Sequence, residues 1–227
     1  MIRVGLAGCG FMGDMHAACY RALAELGVQV TAVADVRPEF AKKLSDACGA
    51  EIYNTAADMI EKADVDVIDI CLPTHLHAQH AVQAMKKGRD VFLEKPVCIR
   101  DDEMALLLET ERETGRKVQV GQVIRLWDEY VWLKDVTVRG EFGKFLSGAF
   151  QRLSAKPTWA SEGWLHKVEL SGGVAVDMHV HDVDFVRYLL GEPDSVQAVA
   201  SRDESGVIQE ISALYGYGKD VAVSVEA

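Results

Sequence analysis

The chain has little that is suited to disulfide or metal chemistry. Its five cysteines, Cys9, Cys19, Cys48, Cys71 and Cys98, are odd in number and stand far apart, with no C-x-x-C pair among them. That spacing excludes the familiar zinc and thioredoxin-type patterns and reads as free thiols in a reducing cytoplasm. Basic charge is also scarce: 24 Lys and Arg stand against 35 Asp and Glu, for a formal net charge of −11 and a pI near 5.1. Nucleic acid and anionic membranes reward clustered positive charge, so neither is an expected partner, and a small molecule fits better. No window approaches the ~20 consecutive apolar residues of a membrane span. The run Leu6-Ala7-Gly8-Cys9 spells a lipoprotein-type cleavage site. It lacks the basic region and the apolar stretch of about 7 to 15 residues that a signal peptide places before such a site. The expectation is a cytoplasmic, unanchored protein with neither low-complexity sequence nor internal repeats.

With 227 residues there is enough chain for one large domain or two modest ones. A composition of 49% hydrophobic and 26% charged residues is that of a globular protein able to bury a sizeable core.

The first half alternates regularly. Ile2 to Ala7 is a β-tolerant apolar run, glycines follow at Gly8, Gly10 and Gly13, and Met12 to Leu26 carries apolar residues at helical spacing. Strand-like runs recur at Val28–Ala34, Glu51–Tyr53, Asp66–Leu72, Asp90–Leu93 and Lys117–Gly121. Helical stretches lie between them at Phe40–Cys48, Ala56–Lys62, Leu76–Lys87 and Asp102–Thr114, most of them closed by glycine. Such alternation predicts a doubly wound parallel sheet, an α/β Rossmann domain over residues 1–121.

Beyond Gly121 the rhythm changes. A helix is expected over Asp128–Arg139, a strand near Phe145–Leu153, one helix from Gly173 to Leu190, and β-like runs near Val196–Ser201, Val207–Tyr217 and Val221–Val225. This pattern predicts an α+β domain over 122–227 with a mainly antiparallel sheet.

Gly8-Cys9-Gly10-Phe11-Met12-Gly13 is G-x-G-x-x-G, placed after a strand and at the start of a helix, and the next strand ends in Asp35. Together these make the dinucleotide fingerprint: Gly8 for the tight turn, Gly10 for approach to the pyrophosphate, Gly13 for close packing of helix on strand. Phe11 and Met12 belong to the same loop, and the helix dipole behind it favours phosphate. Asp35 is expected to accept hydrogen bonds from the adenosine ribose and to repel a 2′-phosphate, which favours NAD. Arg37, two residues on, could offset that repulsion and admit NADP.

Glu94-Lys95-Pro96 follows the strand Asp90–Leu93, at the carboxyl edge where ligands bind in such sheets. Together with Pro73-Thr74-His75-Leu76-His77-Ala78 and the run Gly172-Gly173-Val174-Ala175-Val176-Asp177-Met178-His179-Val180-His181, it makes the chain resemble the Gfo/Idh/MocA family of NAD(P)-dependent oxidoreductases over essentially its whole length. The wording of these motifs is closest to the family's inositol dehydrogenases. The resemblance implies an NAD-dependent dehydrogenase acting on CH–OH groups of a sugar or polyol, with Lys95, Asp177 and His181 at the substrate, and with Pro73, Thr74, His77 and Glu94 along the cofactor crevice. Residue chemistry agrees, because Asp177 and His181 stand at i and i+4 of the expected helix, whereas His179 points elsewhere. An imidazole suits proton exchange near neutral pH, and Lys95 would stabilise a developing alkoxide. Trp127, Tyr130, Arg152, Trp159 and Trp164 are candidate substrate contacts.

Two features depart from the family's pattern. His179 stands where a small residue is usual, and members of the family are longer, with a sheet that continues past Val221–Ala227. The C-terminal domain is therefore expected to be short or incomplete, with a sheet edge open to pairing in a homo-oligomer. Rival readings are a cofactor-binding, non-catalytic piece and a metal-dependent hydrolase built on His75-x-His77. The latter lacks further ligands, so no metal is expected.

Overall fold

The computed structural model describes residues 1–155 and 161–227. Residues 1–121 build β1 (Ile2–Ala7), α1 (Phe11–Ala22), β2 (Val28–Ala34), α2 (Pro38–Cys48), β3 (Glu51–Tyr53), α3 (Ala56–Lys62), β4 (Val67–Ile70), α4 (His77–Lys86), β5 (Asp90–Leu93), α5 (Asp101–Thr114) and β6 (Val118–Val120). The strands form one sheet in the order β3-β2-β1-β4-β5-β6, every neighbouring pair parallel. Strand order reverses between β1 and β4, the topological switch point at which open α/β sheets bind ligands.

Both faces of this sheet are covered. Ala17 of α1 and Ala41 and Leu44 of α2 pack with Val4, Leu6, Val30 and Val33. Met59 and Ile60 of α3, Ala81 and Met85 of α4 and Leu107 of α5 pack with Ala32, Ala34, Ile68 and Ile70. Val30 and Ala32 therefore face opposite sides although two residues apart. A bulge does this: the β1–β2 register slips between Val4 and Gly5, consuming one residue of β2 near Thr31.

A second unit, which takes in most of the chain from Gln122 to Ala227, holds α6 (Asp128–Arg139), β7 (Ser147–Gln151), α7 (Val168–Ser171), α8 (Val174–Asp177), α9 (Val180–Leu190), β8 (Ser195–Arg202), β9 (Ile208–Tyr217) and β10 (Val221–Glu226). Its sheet runs β7-β10-β9-β8 and is mainly antiparallel, with β7 alone parallel to its neighbour. Val186 of α9 packs on Ala213, Tyr215, Val223 and Val225, while Phe185 and Leu189 pack with Ile124, Tyr130 and Leu133.

One expected element is corrected here. The single helix from Gly173 to Leu190 is two helices, α8 and α9, divided at Met178 and His179. The carbonyl of Val174 accepts from the amides of both Met178, at 3.2 Å, and His179, at 3.0 Å, so the hydrogen-bond register slips by one residue. At the slip the His179 ring turns inward, 5% exposed, with Nε2 3.3 Å from the Val225 carbonyl of β10.

Candidate functional site

The glycine loop after β1 is built by close approach. Gly8 has φ +94°, and a Cβ there would lie 2.5 Å from the Cys71 carbonyl oxygen. A Cβ on Gly13 would lie 1.9 Å from the Gly8 carbonyl oxygen, so helix and loop meet backbone to backbone. Gly10, the N-cap of α1, is open instead: its Cβ would meet only Arg37 Nη2, at 3.7 Å. Phe11 is 55% exposed on the first turn and Met12 is half-buried beside it.

Asp35 closes β2 at 8% exposure. Its Oδ2 accepts from the Cys9 amide at 2.8 Å and from Arg37 Nη2 at 3.1 Å, and its Oδ1 accepts from the Arg37 amide at 2.9 Å and Nε at 3.0 Å. Burial works against the charged carboxyl, but the Arg37 guanidinium and the two amides outweigh it and hold the group below its ordinary range. The same guanidinium lies 4.0 Å above the Phe40 ring. Arg37 is thus already committed to Asp35, a disposition that sequence left open. Burial, with Asp35 close by, pushes the Cys9 thiol up to about 12 and keeps it inert.

At the carboxyl ends of β4 and β5 the chain turns at Pro73, Thr74 and His75 and at Glu94, Lys95 and Pro96. The Thr74 hydroxyl and His75 Nδ1 are buried and have no hydrogen-bond partner. Two orphaned polar atoms at a topological switch point, beside an open Gly10 and an acid-capped β2, are features a dinucleotide would satisfy.

Two residues expected along the crevice are buried and hold partners inside the unit. His77 is 1% exposed, with Nδ1 2.7 Å from the Pro96 carbonyl and Nε2 2.8 Å from the Leu72 carbonyl. Burial lowers its pKa, the two carbonyls oppose that shift, and the ring braces the turn after β5 against the turn after β4. With both nitrogens engaged, His77 has no nitrogen left over for the His75-x-His77 metal reading. Glu94 likewise turns inward at 6% exposure, because a buried carboxylate needs partners and finds them in the interior.

Those partners include a histidine that sequence reading missed. His16, on α1, places Nε2 3.1 Å from Glu94 Oε1 and Nδ1 2.9 Å from Asp69 Oδ2. Tyr20 donates to the same Asp69 oxygen at 2.9 Å, Cys71 Sγ donates to Oδ1 at 3.5 Å, and Asp69 is fully buried. Burial disfavours a charged imidazole, but Asp69 and Glu94 outweigh it and push His16 up to about 10. Burial and Asp69 raise both the Tyr20 hydroxyl and the Cys71 thiol. Two signals in the sequence pointed here: an acid inside the apolar strand Val67–Ile70, and a histidine three residues after the last glycine of the loop. Among the described residues, His16, Asp69 and Cys71 are the one group whose ligand atoms gather within 4.8 Å. Here the two ring nitrogens of His16 are within hydrogen-bond distance of Asp69 and Glu94 directly.

In the second unit, Asp177 ends α8 and His181 lies in the first turn of α9, so they stand on two helices across the register slip rather than on one continuous face. His179 points into the core, and burial lowers its pKa. Arg152 binds Asp182 at 2.6 and 3.0 Å with the Tyr130 hydroxyl alongside, and Arg125 binds Asp184 at 2.6 and 2.5 Å. Arg152 and Tyr130 therefore serve the interior of this unit. Trp127 is 45% exposed and edge-on to Tyr130, Trp164 is half-buried, and Trp159 lies outside the described residues.

Residues 2–122 match an oxidoreductase family with an NAD-binding Rossmann fold, and residues 130–227 match the Gfo/Idh/MocA C-terminal domain. The chain belongs to the Gfo/Idh/MocA family. It is 31% identical over 204 residues to the inositol 2-dehydrogenase of Rhizobium meliloti, covering 88% of this chain and 58% of that relative. It is 30% identical over 213 residues to the levoglucosan dehydrogenase of Pseudarthrobacter phenanthrenivorans, covering 88% and 54%. A solved levoglucosan dehydrogenase in complex with NADH superposes with a TM-score of 0.88 at 25% identity, over 100% of this chain and 66% of that one. The chain thus spans little more than half the length of the curated relatives it matches. In this Gfo/Idh/MocA chain, as expected, a parallel Rossmann sheet precedes a mainly antiparallel one. Among the described residues no helix is long and apolar enough to cross a membrane.

Proposed function

We propose that this chain takes part in moving a hydride between NAD and a secondary hydroxyl of a sugar or inositol-like cyclic polyol. What supports the reading is the carboxyl edge of the first sheet, where the glycine loop follows β1, Asp35 follows β2 and the Glu94-Lys95 turn follows β5. When bound, NAD supplies the hydride acceptor. The residues of the chain supply the rest. The first turn of α1 presents backbone amides to phosphate, Gly10 admits it closely, and Lys95 provides positive charge against a developing alkoxide. His181 takes the hydroxyl proton in oxidation, and Asp177 is a further substrate residue, roles that the family resemblance implies. Relatives named for inositol and levoglucosan support the substrate class.

The cofactor preference is NAD over NADP, because Asp35 neutralises the nearby Arg37 guanidinium in a bidentate pair. Asp35→Ser should release Arg37 and remove the repulsion of a 2′-phosphate, moving the NADPH-to-NADH affinity ratio by roughly 100-fold, about 2.8 kcal/mol. Fluorescence titration with both cofactors reads this, and an unchanged ratio would remove Asp35 from the discrimination.

Five free cysteines agree with a cytoplasmic setting. A homo-oligomer formed through the C-terminal sheet is supported by β8, exposed along its whole length, with Val199 74% exposed and Leu214 of the neighbouring β9 48% exposed on the same face.

The reading is tested by offering the protein NAD with a panel of inositols, aldoses and alditols and following the nicotinamide absorbance. At least one polyol class should give a rise. NADH binding without any rise would support the cofactor-binding, non-catalytic alternative.

A further inference from the structure

His16 faces acceptors on both sides of its ring. A neutral imidazole carries one N–H and one lone pair, whereas a carboxylate accepts only. Asp69 Oδ2 lies 2.9 Å from Nδ1 and Glu94 Oε1 3.1 Å from Nε2, so a ring protonated at both nitrogens donates to a carboxylate on each side, unlike His77, whose two acceptors are neutral carbonyls. The surroundings are closed: Tyr20 from α1 itself, Asp69 of β4 with Cys71 just beyond it, and Glu94 beyond β5, with the Phe92 ring edge-on to the imidazole at 5.6 Å. Gly121, just past β6, completes the enclosure, since a Cβ there would lie 3.0 Å from Glu94 Oε1.

The other oxygen of Glu94 is turned to the next residue. Oε2 accepts from the Lys95 amide at 3.1 Å. We infer that His16 is a positioning residue for Lys95: as an imidazolium bound by Asp69 and Glu94, it ties the dinucleotide helix to the carboxylate that fixes the Lys95 turn. Remove it, and two buried carboxylates confront each other without a counter-charge. Glu94, on a turn rather than inside a strand, is then the one able to move. The Lys95 amide loses its acceptor when it does.

This arrangement has a pH signature. The folded-state value of His16, about 10, stands above the unfolded one. Its contribution to stability is therefore complete below the unfolded value of ~6.5 and is lost as pH rises through the folded value.

The test joins a spectroscopic measurement to a substitution. In ¹⁵N-histidine NMR of the intact chain, the His16 ring should carry both hydrogens from pH 6 to pH 9, whereas titration near ~6.5, or a single neutral tautomer, overturns the proposal. In His16→Gln, exchange of the Lys95 amide should accelerate at least about tenfold, and unchanged exchange overturns it as well. A kinetic measurement rests on the oxidoreductase reading given above: kcat should fall roughly 10- to 100-fold with KM little changed. His16→Lys, which keeps the positive charge, should recover part of that loss. Equal loss in both variants would make His16 a packing residue only. A protein without turnover would fail the oxidoreductase reading while leaving the NMR and exchange results to decide the role of His16.

Discussion

His181→Ala is expected to lower kcat by about 10²- to 10⁴-fold, the range a positioned acid/base supplies. NADH affinity should stay within about twofold, because every residue assigned to the dinucleotide lies in residues 1–121 whereas His181 belongs to α9. The expectation is specific to the proton-handling role. An effect confined to KM would make His181 a substrate-binding residue, and unchanged turnover would remove it from the reaction. Its neighbour provides the control: His179 is buried against the Val225 carbonyl, so His179→Ala should act through stability and leave the ratio of kcat to KM little altered. Steady-state kinetics on the two variants, with a thermal melt on each, separates the two roles.

Gly13→Ala should abolish tight cofactor binding. The added methyl carbon would lie 1.9 Å from the Gly8 carbonyl oxygen and 3.0 Å from its carbonyl carbon and from Leu6 Cδ2. Two of those three atoms are backbone, so no rotamer change relieves the contact and α1 must move away from the loop. Moving the helix withdraws the amides that face phosphate, and NADH should weaken by roughly 100-fold or more, about 2.8 kcal/mol. Gly49→Ala is the contrast, for Gly49 has φ +70° and nothing within 4 Å of its would-be Cβ. It should cost only the ~1 to 2 kcal/mol of a left-handed alanine and leave NADH binding alone. Equal losses at Gly13 and Gly49 would mean that backbone conformation, not close approach, is what the loop requires.

Much of the first unit was legible because its signals are local. Gly8, Gly10 and Gly13 between an apolar run and a helical one, and an acid at the end of the next strand, specify β1, α1, β2 and Asp35 within a few dozen residues. The second sheet was legible in kind for the same reason. What escaped was set at long range. His16 meets partners 53 and 78 residues away, so its charge is set by residues remote from it in the chain. The break between α8 and α9 accompanies an inward turn of His179 toward a carbonyl 46 residues on, while Gly173–Leu190 reads in the sequence as one continuous helix. The resemblance assigns His77 and Glu94 to the crevice but does not show their interior partners, since His77 faces two carbonyls and Glu94 faces His16 across long stretches of chain. Arg37 was ambiguous because a guanidinium two residues from an acid can bind the acid or a ligand; in the structure it binds the acid.

The central claim is that the chain's residues serve hydride transfer from a carbon bearing a hydroxyl, and isotope transfer tests it most directly. Polyols from the responding class, deuterated at every ring carbon, would be turned over with NAD and the reduced cofactor analysed by mass and NMR. One deuterium at the nicotinamide C4, with slower turnover than the protiated polyol, is the predicted result. Reduced cofactor without deuterium, or no reduction with any polyol despite NADH binding, would contradict it.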